Sequence, residues 1–132
     1  MTIDFTKSER KTIRKLAELA WERQLRSELH KIATAITDMD KEVLSPFEVN
    51  QKIHHFHNGV SRELFNRYSD SLPWFPVCRA HYDKVLSDDD LMDASDKIRN
   101  GISKFAKDFV FINELDSSDD PEEEACLTDR SD

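Results

Sequence analysis

Apolar side chains recur at helical intervals along residues 6–44, and the stripe they draw changes face part-way. Ile13, Leu16, Ala17 and Ala20 fall together at about 100° per residue. Trp21, Leu25, Leu29, Ile32, Ile36, Met39 and Val43 follow at 4-4-3-4-3-4 spacing and mark a second face, turned by about 130°. Thr6 and Glu9 form a T-x-x-E capping box with Phe5 just outside it, so the pattern predicts a helix from residue 7 to about Met39 or Leu44. Such a helix spans about 50 Å at 1.5 Å per residue, longer than a compact domain of this size requires. The expectation is that its N-terminal turns overhang and pack on a second subunit. A homodimer follows from that.

The second helix opens at Ser45, with Pro46 at the first helical position and Glu48 closing another capping box. Its stripe is Val49, Ile53, Phe56, Val60 and Leu64, with Tyr68 near the same face, and it stops near 69–71, ahead of Pro73 and Pro76. A short helix, "PVCRAHYDKVL", follows with Pro76 at its start. A last long helix is capped by Ser87 and striped by Leu91, Ala94, Ile98, Ile102, Phe105, Phe109 and Ile112. The pattern therefore predicts an all-α protein: an antiparallel helical bundle of three long helices plus one short helix. It occupies residues 1–115 as one domain, with a disordered acidic tail over 116–132.

Composition agrees, with two glycines and four prolines in 132 residues. Charge changes the picture more. Residues 113–132 carry nine of the 27 acidic groups and one of the 19 basic ones, so the whole net charge of −8 resides there and the body is neutral. So charged a segment cannot bury enough apolar surface to order itself, and a solubilising tail is the expectation. No apolar run is long enough to span a bilayer, and "MTIDFTKSERK" lacks the apolar segment of a secretory leader. Cys78 and Cys126 do not make a disulfide framework, which points to a cytoplasmic protein.

The chemistry-bearing residues are few. "IHHFHNGVSRELF" holds three of the five histidines, and Asn50, His54, His57 and Ser61 share one helical row at 4-3-4 spacing. His54 and His57 could share a metal ion, or act as a base beside the Ser61 hydroxyl. No third group orients the base, however, and no oxyanion donor appears. A zinc set of His54, His57, Cys78 and His81 is opposed by chain geometry, because Cys78 and His81 return near Tyr68 rather than near His57. The row reads as a polar rim, and no cofactor is expected. Trp74 and Phe75, between two prolines, plug the end of the bundle or anchor a partner. Phe111 has no core to enter and marks an interface or a helix buried all round. Gly101 beside its stripe suggests a close helix crossing, while Gly59 faces away from its own.

Lys7, Arg10, Lys11, Arg14 and Lys15 make the start of the first helix basic, but Glu9, Glu18 and Glu22 interleave, so a solvated face is the reading and nucleic acid is not an expected partner. The functional expectation is a small non-catalytic protein acting through protein–protein interaction as an adaptor, regulator or assembly factor, a homodimer with an unknown protein partner and no membrane association. The alternatives are a metal-dependent or His-based bundle enzyme using the His54/His57 flank, and nucleic-acid binding through the basic start of helix one.

Overall fold

The computed structural model describes residues 4–117, with side chains through Ile112, so most of the acidic tail lies outside the described residues. Every element among them is helical. Helix α1 runs Lys7–Asp40 and begins at the expected capping box: the Glu9 amide donates to the Thr6 hydroxyl at 3.1 Å, and the Thr6 amide donates to Glu9 Oε1 at 2.9 Å. It ends where Glu42 takes the left-handed conformation at φ 63°. That turn lets the Val43 amide reach Asp38 O at 2.8 Å and the Glu42 amide reach Met39 O at 3.0 Å, which satisfies the last carbonyls.

The chain then returns along α1 as one helical run: α2, Pro46–His55; a π-turn, Phe56–Ser61; and α3, Arg62–Tyr68. Its direction is fixed by the Tyr68 hydroxyl, which donates to Gln24 Oε1 at 2.5 Å, and by Trp21 lying edge-on to Phe65 at 5.9 Å. The π-turn has a sequence cause. Phe56, Val60, Leu64 and Tyr68 succeed one another at intervals of four, and each such step overshoots an α-helical turn by about 40°. A wider turn closed by i→i+5 bonds absorbs the extra residue and keeps the stripe on α1. Leu64 and Tyr68 are buried, and Phe56 and Val60 half-buried. Ile53, three residues before Phe56, falls off the line and is exposed.

Helix α4 is Trp74–Tyr82, and like α1 it stops at a left-handed non-glycine residue, Lys84 at φ 66°. A loop and a single 3₁₀ turn at Asp89–Leu91 lead to α5, Asp96–Ser117. Here the structure corrects the expected start. Ser87 binds Asp90 instead of capping the last helix, and Ser95 takes that role, accepting the Ile98 amide at 3.2 Å. Leu91 and Ala94 are buried as predicted, although they precede the helix. The successive pairings Trp74 with Gly101, Phe75 with Phe105 and Tyr82 with Phe109 show α4 and α5 side by side in the same direction.

The core gathers Ile13, Leu16, Ala17 and Ala20 of α1 against Leu64, Tyr68, Val77, Leu86, Ile98 and Ile102. Each fully buried aliphatic side chain contributes about 1.5–3 kcal/mol. The α1 members of this cluster end at Leu25. Beyond that point, among the described residues, α1 is accompanied by the returning helical run: the start of α3 near Ser27 and Glu28, then the π-turn and α2, with Ala35 and Val49 buried. The part of α1 that overhangs is therefore its C-terminal half, not its N-terminal turns. The N-terminal turns carry the small, closely packed residues that admit three neighbours; the distal half carries the second stripe, and receives one.

Candidate partner interface

Asn50, His54, His55 and His57 are exposed, and Ser61 is half-buried. Asn50 and His54 lie in α2, and His57 and Ser61 in the π-turn that follows it. None of the three histidines has a side-chain hydrogen-bond partner among the described residues. Cys78 and His81 lie on α4, away from α2. Cys78 is buried, and burial pushes its thiol up to about 12, while His81 Nε2 meets Asp88 at 2.9 Å. Among the described residues no three His, Cys, Asp or Glu side chains converge as a metal site would require.

The aromatic candidates separate. Trp74 is a plug, packed on Phe5 at 4.9 Å between ring centroids and lying over Gly101, where an added Cβ would meet its Cζ2 at 2.6 Å. Phe75 is 71% exposed and touches Phe105 edge-on, and Phe111 is 63% exposed on the back of α5. Phe105 stacks on Phe109, and Arg79 lies over the Phe109 ring at 4.6 Å, so α4 and α5 are joined by aromatic contact where aliphatic packing runs out.

The distal half of α1 with α2 forms a two-helix arm that leaves apolar groups in water. Leu29, Ile36 and Val43 of the second stripe are exposed, as are Ile53, Phe65 and, at 85%, Phe47 beside the arm's tip. Two adjoining shallow, open grooves run along one side of α1, each walled by that helix alone. The first is lined by Leu25, Leu29 and Ala33 between Arg26 and His30, the second by Leu19 and Trp21 between Lys15 and Glu18. Glu22 and Leu25 border both.

Where arm meets body, a clamp fixes their relation. Arg23 binds Asp90 through both guanidinium nitrogens, at 2.7 and 3.0 Å, and donates to Val85 O at 2.8 Å. Asp90 also accepts the Ser87 amide at 2.8 Å and the Ser87 hydroxyl at 3.1 Å. The Arg23 guanidinium, with these bonds, holds the Asp90 carboxyl well below the usual carboxylate range, and Asp90 in turn raises Arg23. Only the Ser87-x-x-Asp90 spacing could have signalled this turn in the sequence; its partner 67 residues away had no local signal.

Among the described residues no helix is long and apolar enough to cross a membrane. Comparison with known protein families, curated proteins and solved structures finds no match for this chain.

Proposed function

We propose that this chain is a non-catalytic cytoplasmic binding protein, an adaptor, regulator or assembly factor, that works as a homodimer through the outer face of its two-helix arm. The body is read with it as a bundle of three long helices and one short one, antiparallel where α2 and α3 return along α1 and parallel where α4 lies on α5, and the arm is the part left without a third layer. The observation that carries the reading is the fate of the second stripe. Seven apolar residues at bundle spacing serve a packed interface, yet α2 half-covers some of them and leaves Leu29, Ile36 and Val43 open. An amphipathic helix with a free apolar face next to a rigid body suits helix-in-groove recognition. The Arg23–Asp90 clamp supports the same reading, because it presents the arm in one orientation and lowers the ordering cost of association.

The test is a photo-crosslinking residue at Leu29, with the same probe at exposed Met92 in the body as control. A protein adduct at Leu29, to another copy or to a different chain in a native extract, and none at Met92, is expected. Equal yields at both sites, or none at Leu29, would overturn the arm as the working surface.

A further inference from the structure

We infer that the partner on the outer face of α1 is a second copy of this chain, laid antiparallel across a two-fold axis near Leu25. The inference rests on the homodimer proposed above and gives it an orientation and an axis.

Charge is the first argument. The outer strip of α1 begins with exposed Lys11 and Lys15 and ends with exposed Asp40, followed by exposed Glu42 in the turn. None of these four takes part in an ion pair among the described residues. Lys41 at the tip and Glu18 on the strip are the opposing charges, and they leave the sense of the gradient unchanged. A strip basic at one end and acidic at the other repels a parallel copy and attracts an antiparallel one.

Shape is the second argument. The two grooves meet at Glu22 and Leu25. A two-fold axis there lays the Leu29–Ala33 groove of one copy on the Leu19–Trp21 groove of the other, twice over, so one patch serves both sides as an isologous interface requires. Ala33 lets the backbones approach, and Glu22 and Arg26, an exposed ion pair at 2.8 Å within one helix, come within reach of their counterparts. The same alignment brings Lys11 and Lys15 opposite the partner copy's acidic tip.

Size is the third. A contact strip about 45 Å long and about 10 Å wide on each copy buries on the order of 1,000 Å² in total, near the lower bound for a specific interface. Association in the micromolar range is therefore expected, with strong dependence on salt.

Sedimentation velocity on the full chain tests this, with charge swaps as the specific probe. The unmodified chain is expected to dimerise at low salt. Lys11→Glu with Lys15→Glu should weaken the dimer at least tenfold, as should Asp40→Lys with Glu42→Lys, and the four together should restore it. Circular dichroism of each variant verifies that α1 is intact; these are exposed positions outside the core. A monomer at every concentration, or a dimer that the four-fold swap fails to restore, would overturn the antiparallel pairing. A Leu29 crosslink to a different protein while the purified chain stays monomeric would overturn the second copy as occupant and leave the arm standing as a binding surface. Loss of the Leu29 crosslink altogether would remove both.

Discussion

The Ser95 hydroxyl donates to Glu9 Oε2 at 2.5 Å, and through that bond one carboxylate serves two helix N-termini. Its other oxygen accepts the Thr6 amide in the α1 capping box, while Ser95 accepts the Ile98 amide at the start of α5. A negative group between two helix starts meets both dipoles favourably. The Ser95 hydroxyl first, and then the Thr6 amide, hold the Glu9 carboxyl below its ordinary range. A carboxylate lowered in the fold adds stability above its unfolded value, about 4.3, and loses it as pH falls through the lower folded value. Ser95→Ala should therefore destabilise the fold at pH 7, through loss of both the α5 cap and the bond to Glu9. Urea titrations down to pH 3 should show that penalty shrinking as Glu9 becomes protonated, whereas a penalty constant with pH would separate the cap from the carboxylate.

Arg23 and Asp90 make the second acid-sensitive link. The Asp90 side chain is 14% exposed and that of Arg23 43%, so solvent screens the pair on one side only. Asp90→Asn removes the charge yet keeps the size, and a loss of about 2 kcal/mol is expected at pH 7 from the weakened charge-assisted bonds. The contribution is complete above about pH 4 and falls away below it, since the folded carboxyl is the lowered one. Arg23→Lys should lose about half as much, because an ammonium cannot reproduce the fork or reach Val85 O as well. Denaturant midpoints of the two variants, compared at pH 7 and pH 3, measure both the size and the sign.

The two glycines predict opposite outcomes for the same substitution. At Gly101 an added methyl would stand 2.6 Å from the Trp74 ring, which also packs on Phe5. Gly101→Ala should destabilise by about 1–3 kcal/mol despite alanine's better helix propensity. At Gly59 nothing lies within 4 Å, so Gly59→Ala should gain up to about 1 kcal/mol. Residues 58–62 and 100–104 share the pattern N-G-[VI]-S-[RK], yet their glycines have two different roles. Thermal melts of both variants decide the matter, and a gain at both sites would deny the Trp74 contact.

Much of the helical layout was readable because local signals were strong. Both capping boxes, at Thr6 and Ser45, lie where the spacing put them, and Ile13, Leu16, Ala17 and Ala20 form the inner face of α1 as the wheel required. What failed to show depended on contacts far apart in the chain. Ser87 and Ser95 are equally good caps by type, and the choice between them was made by Arg23, which claims the Ser87–Asp90 turn, and by Glu9, which claims Ser95. The π-turn was written in the four-residue spacing of Phe56, Val60, Leu64 and Tyr68, but a wheel at fixed angle cannot display a change of pitch. The exposure of Leu29 and Ile36 was invisible because a bundle seam and an open face share one pattern until the number of neighbours is known.

Two helix ends offer a last prediction, independent of any partner. Glu42 and Lys84 both sit in the left-handed region where glycine is the usual occupant, and both complete the same pair of capping bonds. The conformation costs a side-chain-bearing residue about 1 kcal/mol or more, and glycine's greater freedom in the unfolded chain offsets part of that gain. Lys84→Gly and Glu42→Gly should each stabilise the fold by about 0.5–1 kcal/mol. Lys84→Val should do the reverse by a similar amount, since a β-branched residue tolerates positive φ worst. The two sites differ in what lies behind them. Val85 and Leu86, which follow Lys84, enter the core region, whereas Val43 after Glu42 is exposed at the arm's tip. Strain at Lys84 should accordingly register in the global urea midpoint, and strain at Glu42 in faster hydrogen exchange of the last turn of α1. Equal effects of the two glycine variants on the global midpoint would mean that the arm and the body unfold as one unit.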